Sequence, residues 1–187
     1  VEEYQNLFKC KTQIDDNKIW DKNKKKKNKY ELVYISNRNK YFNVSNYIPI
    51  SRSYFKLWEI IKDLDIIDFK KEDLNIVGIA EGPGGFIECI LNMRKLYSTT
   101  TNDKCICMTL KAYKNEIPGW KKSSRLFKEN SNFCVTYGSD NTGDLYKKDN
   151  IIHLMNEIGE DKADIVTADG GFDFSVDYNK QEQLSYR

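Results

Sequence analysis

Four short apolar runs, Leu74–Ala80, Lys104–Leu110, Phe133–Tyr137 and Ala163–Ala168, punctuate the chain. Runs of this length, with little polar alternation, predict strands buried on both faces, as in a parallel sheet. Ahead of them, Tyr54, Phe55, Leu57, Trp58, Ile61 and Leu64 recur at helical spacing behind Ser51, a good N-cap, and predict a helix over Arg52–Leu64. Further helices are expected over Gly84–Leu96 and Ile151–Ile158. From the first apolar run onward the order is strand, helix, strand, connection, strand, helix, strand. Right-handed crossovers place the helices of such a chain on both faces of the sheet, so the expected fold is α/β, Rossmann-like and mainly parallel. Only four core strands fit, and a helix expected from about Tyr178 is cut at Arg187, so the sheet is expected to be incomplete, with an open edge.

The first fifty residues have a different character. Residues 1–29 are polar and lysine-rich, with Ile14, Ile19 and Trp20 as anchor points, and predict a partly mobile extension. Tyr30–Ser36 and Tyr41–Tyr47 alternate as short strands do, with a hairpin about Asn37-Arg38-Asn39. The expected organisation is therefore an extension over 1–50 and one domain, or part of one, over 51–187.

Charge adds distribution rather than sum: 30 Lys and Arg face 28 Asp and Glu. Lys22–Lys29 holds six lysines in eight residues, and Lys121, Lys122, Arg125 and Lys128 form a second basic group in a more ordered context. Both suit phosphate; a solvated flexible loop is the other reading of the first. Cys10, Cys89, Cys105, Cys107 and Cys134 lack the paired spacing of a zinc site and read as reduced core residues. His153 has no companion ligand and reads as structural, so no metal is expected. No apolar run approaches the ~20 residues that span a bilayer, and no signal-peptide core is present, which points to an intracellular soluble protein.

The chemistry concentrates at Ile79-Ala80-Glu81-Gly82-Pro83-Gly84-Gly85-Phe86 and at Ala168-Asp169-Gly170-Gly171. A tight strand-to-helix turn needs positive φ, and a ligand touches backbone only where no Cβ intervenes, so glycines at 82, 84 and 85 suggest a cofactor cradle at a helix N-terminus. The spacing is neither G-x-G-x-x-G nor the Walker pattern, which argues against a dinucleotide or a triphosphate. A ligand with adenine, ribose and a carboxylate but no phosphates fits better.

The segment Glu81-Gly82-Pro83-Gly84-Gly85-Phe86 resembles the first motif of the FtsJ-like S-adenosylmethionine-dependent RNA 2′-O-methyltransferases. Ser51-Arg52-Ser53-Tyr54-Phe55-Lys56-Leu57 resembles the family's Ser-Arg-x-x-x-Lys-Leu helix, whose lysine opens a Lys-Asp-Lys-Glu tetrad, and Ala168-Asp169-Gly170-Gly171 resembles the segment with the tetrad aspartate. Met108-Thr109-Leu110-Lys111 and Thr142-Gly143-Asp144-Leu145 look like the cap-specific branch, and Asp177-Tyr178-Asn179-Lys180-Gln181-Glu182 is similar to FtsJ-like proteins of large DNA viruses. The resemblance implies a class I methyltransferase fold, S-adenosyl-L-methionine as cofactor, and RNA, chiefly the cap-proximal nucleotides of mRNA, as substrate. It implies no membrane, and a place in the cytoplasm or nucleus, a viral factory or a virion. A ribosomal RNA 2′-O-methyltransferase and a catalytically inactive RNA-binding scaffold are the alternatives.

Carried over by position, Lys56 and Asp169 are the expected catalytic residues. Activating a ribose 2′-OH requires a lysine that is transiently neutral, whereas an unperturbed lysine titrates near pH ~10.4 and a neighbouring carboxylate favours its charged form. A second cation and exclusion of water oppose that. The family's second lysine and its glutamate have no matching motif in these 187 residues and are expected beyond Arg187, so the chain alone is expected to be inactive. Glu81 through Phe86, Thr109, Leu110, Asp144 and Leu145 are the expected cofactor contacts, with Asp144 on the adenine amino group. Strand two ends Thr109-Leu110-Lys111 without the usual acid, which leaves the cofactor's ribose to backbone or another residue. Arg52, Phe172 and Lys180 are the expected substrate contacts, and Phe172 and Phe174 read equally well as core.

Overall fold

The computed structural model describes residues 2–15, 17, 19, 20, 23, 33, 34, 43–98, 102–113, 119–160 and 162–171. It divides into two compact units, one of residues 1–48 and 171–187, the other of residues 49–170.

In the first unit, residues expected to form an irregular extension instead make helix α1, Glu2–Asp15. Glu2 and Glu3 complement the dipole of its first turn, and Tyr4, Leu7 and Phe8 line up at helical spacing, all exposed. Ile19 and Trp20, expected as anchors, are exposed too. Most of the expected hairpin and of the lysine cluster lies outside the described residues. Its described stretch, residues 43–47, is not a strand. Ser45 N donates to Val33 O at 3.0 Å, a bond between the two segments expected to pair, while the Ser45 hydroxyl accepts from Tyr47 N at 3.1 Å, a local bond that competes with a longer ladder.

The second unit carries the sheet. Helix α2 (Ser53–Leu64) precedes β1 (Asn75–Ile79), α3 (Gly85–Tyr97), β2 (Lys104–Met108), a 3₁₀ turn (Trp120–Lys122), α4 (Ser124–Glu129), β3 (Phe133–Thr136), α5 (Lys148–Ile158) and β4 (Ile165–Ala168). All four strands are parallel, in the order β3-β2-β1-β4. The strands and helices expected between Arg52 and Ala168 are present, their bounds differing by up to three residues, and the helix expected from about Tyr178 lies outside the described residues. The 3₁₀ turn and α4 are additions within what the sequence presented as a plain connection. Ser51 does not cap α2: Arg52 holds that place with no side-chain bond to the helix's first amides, and the Ser51 hydroxyl meets that of Ser53 instead.

Period-two alternation divides the core. Val77, Ile79, Ile106 and Met108 face α5 and pack with Leu154, Ile158 and Leu145. Ile76, Cys105 and Cys107, one residue out of phase, are buried on the opposite face, where the right-handed crossover puts α3. Tyr54, Leu57 and Ile61 of α2 then close over α3, leaving Ile87, Cys89, Ile90 and Met93 with no exposed surface. Cys89, Cys105 and Cys107 thus belong to the core as expected, whereas Cys10 and Cys134 are exposed. Cys134 sits on β3, at the end of the strand order, where one of its faces has less cover.

One ion pair fastens the end of the sheet away from the crevice. Arg94 near the end of α3 is fully buried, its Nε and Nη2 each 2.9 Å from an oxygen of Asp103. Nη1 reaches Phe69 O at 3.3 Å and Ser98 Oγ at 3.0 Å, Nη2 also reaches Glu72 O at 2.8 Å, and Asp103 accepts from Leu74 N at 2.8 Å. The helix end, the approach to β1 and the approach to β2 are therefore bonded through one guanidinium. Arg94→Leu leaves Asp103 buried and unpaired, and is expected to lower stability by about 3–5 kcal/mol in urea unfolding. Adding Asp103→Asn should recover part of that loss; an unchanged urea midpoint in Arg94→Leu would contradict the assignment.

Candidate active site

Strand order places β1 between β2 and β4: the chain passes from β1 to β2 and β3 on one side and returns to β4 on the other, a reversal that opens a crevice at the C-terminal edge between β1 and β4. The register Ile79↔Ala168 sets Glu81, two residues beyond β1, and Asp169, one beyond β4, at this crevice. A cleft of about 530 Å³ lies there, lined by Ser51, Arg52, Ser53, Lys56, Ala80, Glu81, Gly82, Pro83 and Asp169.

The turn from β1 to α3 is held from several sides. Ala80 has φ 54° and donates its N–H to Met108 O at 2.8 Å. The Gly82–Pro83 peptide is cis. Gly84 returns its N–H to Glu81 O at 2.7 Å and has φ 104°, and a Cβ there would stand 2.7 Å from the Trp120 ring. Glycine is required at 84 on both counts. The Ser123 hydroxyl donates to Pro83 O, and Gly82 N–H reaches Thr109 Oγ1 at 3.3 Å. Gly85 opens α3 directly against Ser51 and Ser53, where a Cβ would collide with both hydroxyls.

Glu81 is 5% exposed. Its Oε1 accepts from Phe86 N at 2.9 Å and Ile87 N at 3.3 Å, capping α3, while Oε2 has no hydrogen-bond partner among the described residues. Burial pushes the carboxyl up to about 7; the two amide bonds oppose this and the charge of Asp169 adds to it. The nearby Thr167 hydroxyl lowers it slightly but makes no well-formed hydrogen bond, and is itself buried without a partner. A buried, orphaned acceptor bordering a cleft is suited to a cationic or hydrogen-donating ligand.

Lys56, from α2, places Nζ 3.0 Å from each oxygen of Asp169. The two side chains are 62% and 38% exposed, and pairs this open contribute only about 0–1 kcal/mol to stability. Neither folding nor packing requires this pair. It is an amine and a carboxylate held at a fixed spacing in an open cleft.

Of the other expected residues, Thr109 supports the turn and Leu110 is exposed beyond β2. Gly84, Gly85 and Phe86 start α3 without lining the cleft, as do Asp144 and Leu145 in the loop after β3. That loop is organised by buried Asn150, whose Nδ2 donates to Asp140 Oδ1 and Asp144 O, both at 3.0 Å, and it is tied to the end of β2 by Lys111 N to Thr142 O at 2.8 Å. Leu145 packs into the α5 core, and Asp144 Oδ1 accepts from Tyr146 N at 2.9 Å. Phe172, Phe174 and Lys180 lie outside the described residues. Sequence reading missed Trp120 and Ser123, which brace the turn through space, and Thr167, whose buried hydroxyl lies near Glu81; none carries a local signal. Ser51 and Ser53 were visible only as parts of the motif around Lys56. No cluster able to hold a metal occurs among the described residues.

The FtsJ-like methyltransferase family matches residues 49–187. A cap-specific mRNA (nucleoside-2′-O-)-methyltransferase 2 of Danio rerio is 26% identical over 152 residues, 72% of this chain and 19% of that protein. Proteins described as cap-specific mRNA (nucleoside-2′-O-)-methyltransferase 1 are 33% identical in Trypanosoma cruzi, over 58% of this chain and 28% of theirs, and 30% identical in Trypanosoma brucei brucei, over 70% and 33%. The chain therefore spans about a fifth to a third of the length of these curated relatives. No solved structure matches significantly.

The state of Glu81 gives a pH signature. With its ordinary value at 4.5 and its folded value near 7, the folded form holds more protons than the unfolded form between these limits. Stability through this group is full below about pH 4.5, declines as pH rises toward 7 and is flat above, a total of about 3 kcal/mol. Glu81→Gln keeps the shape, offers its amide to Thr167 Oγ1 and should abolish that decline. Urea midpoints between pH 5 and 8 read the difference, and parallel native and variant curves would reject it.

Proposed function

Because this chain belongs to the FtsJ-like methyltransferase family, we propose that it carries the Lys56–Asp169 half of an S-adenosylmethionine-dependent RNA ribose 2′-O-methyltransferase acting on cap-proximal nucleotides of mRNA. The observation that carries this reading is the amine–carboxylate pair at the switch-point crevice, beside a glycine turn and too exposed to serve stability. On this reading residues 51–187 belong to the catalytic domain and 1–50 are an extension to it. The cap-specific relatives support the RNA class.

The site suits the donor. Glu81 Oε2 is an unsatisfied buried acceptor for an ammonium, and we assign the adenosine to Thr109 and Leu110 after β2 and to Asp144 and Leu145 of the loop that the Lys111 N to Thr142 O bond ties to it. S-adenosylmethionine supplies an electrophilic methyl group on a sulfonium; when bound, it would give that group to the 2′-oxygen with the carbon–sulfur bond as the one broken. The chain's own task is to orient the acceptor and take its proton, and the hydroxyl proton would pass to Lys56 Nζ. For this Lys56 must be neutral when the hydroxyl arrives, and Asp169 then stabilises the ammonium formed. Both side chains are open to water, so the docking ribose excludes solvent from the pair. Arg52 on the rim of the cleft is placed to meet the adjoining phosphate.

Transfer of a labelled methyl group to capped and uncapped oligoribonucleotides by the complete protein, which supplies the rest of the tetrad, tests the proposal. Lys56→Ala should lower turnover by about 10²–10⁴-fold. Affinity for S-adenosylmethionine, read by calorimetry, should stay within a factor of about two. Retained turnover in Lys56→Ala would reject its role. Equal transfer to uncapped or ribosomal RNA would replace the cap assignment, and RNA binding without transfer would favour a scaffold.

A further inference from the structure

The connection between β2 and β3 carries charge that neither the cleft nor the core uses. Lys121 and Lys122 lie on the 3₁₀ turn, Arg125 and Lys128 on α4, all exposed. The carboxylate of these elements, Glu129, is engaged by Arg125 at 2.9 Å and Lys95 at 3.4 Å. Lys121, Lys122 and Lys128 have no ion-pair partner among the described residues. Three unneutralised ammonium groups on a stretch of eight residues repel one another and raise a positive potential over that surface.

Their placement relative to the cleft is fixed. Trp120 begins the 3₁₀ turn, and its ring packs on Phe127 and Phe133 with centroids at 6.1 and 5.5 Å and presses on Gly84. Ser123, next to Lys122, donates its N–H to Trp120 O at 3.0 Å and its hydroxyl to Pro83 O. Pro83 lines the cleft. One hydrogen bond therefore separates the backbone bearing the lysines from the wall of the reaction site. A surface loop made only for solubility would not need an aromatic anchor and a bond to the glycine turn.

We propose that Lys121, Lys122 and Lys128 form a docking ridge for the phosphodiester backbone of the single-stranded RNA whose ribose enters the cleft. The proposal rests on the function proposed above and names where the strand runs. Ammonium groups on flexible stems act as point charges without the planar fork that reads a base, so the ridge holds RNA of any sequence and contributes affinity that salt weakens.

The test is binding of a fluorescent single-stranded oligoribonucleotide by the native chain and by Lys121→Gln/Lys122→Gln/Lys128→Gln, between roughly 50 and 200 mM KCl. The triple variant should bind at least tenfold more weakly at the low-salt end, and its slope of log affinity against log salt should be shallower by about 2. In methyl transfer by the complete protein carrying the same three substitutions, the KM for RNA should rise while kcat and affinity for S-adenosylmethionine stay unchanged. Lys70→Gln/Lys162→Gln, at the opposite end of the sheet, should bind like the native chain. If native and triple-variant proteins bind RNA equally, with equal slopes, the ridge is overturned and the proposed function stands. Failure of the native chain to bind RNA would overturn both.

Discussion

The residues from 80 to 84 turn a buried strand into a buried helix, and the rest of the site takes its position from how that turn is held. Ala80 and Gly84 accept left-handed backbone, a conformation that costs an L-residue such as Ala80 roughly 1–2 kcal/mol. That cost is sustained because neighbours fix the turn from every side: Met108 O on Ala80, Thr109 on Gly82, Ser123 on Pro83 and Trp120 against Gly84. The Glu81 carboxylate completes it from below by capping α3. The close approach of Ser51 and Ser53 to Gly85 then brings in α2, and with it Lys56.

Two ion pairs in this chain have similar distances and different uses. Arg94 and Asp103 meet at 2.9 Å with both side chains almost wholly buried, and further bonds satisfy the rest of the guanidinium. Removing either partner strands a charge where water cannot reach it, which makes the pair structural. Lys56 and Asp169 meet at 3.0 Å in the open, where solvent and salt screen the attraction. The first lies at the end of the sheet away from the crevice and the second at the crevice, so rigidity and chemistry occupy opposite ends of the same strands.

The sheet was legible because each strand is a short apolar run, buried on both faces in β1 and β2 but with Cys134 of β3 and Val166 of β4 exposed at the edges, and the glycine turn because backbone geometry demands glycine. The pairing of Lys56 with Asp169, 113 residues apart, followed from the resemblance rather than from any periodicity. What stayed hidden was decided in three dimensions. Arg94 reads as a surface residue near a helix end, and nothing local announces Asp103 as its partner. Trp120 reads as an isolated aromatic in a polar connection until Phe127, Phe133 and Gly84 surround it. The helix at residues 2–15 was missed because its apolar stripe is only Tyr4, Leu7 and Phe8, too short to stand out from polar neighbours.

Glu81 and Asp169 show how a single crevice gives two carboxylates different characters. They stand beyond neighbouring strands in register, where the resemblance implies a cofactor contact for Glu81 and a catalytic role for Asp169. Glu81 folds back beneath the turn, where loss of water raises its carboxyl to about 7 despite two amide bonds. Asp169 stays in the open and is met by Lys56. The negative charge of Asp169 itself adds to the cost of ionising Glu81, so the crevice favours one carboxylate charge over two near neutral pH. A cation entering beside Glu81 reverses that preference, because it offsets both the desolvation and the repulsion. The buried acid thus responds to the charge of whatever occupies the cleft, while the exposed acid keeps the amine in place. Environment separates two like groups at adjacent strand ends, one an acid that a cation would ionise and the other a carboxylate that holds an amine.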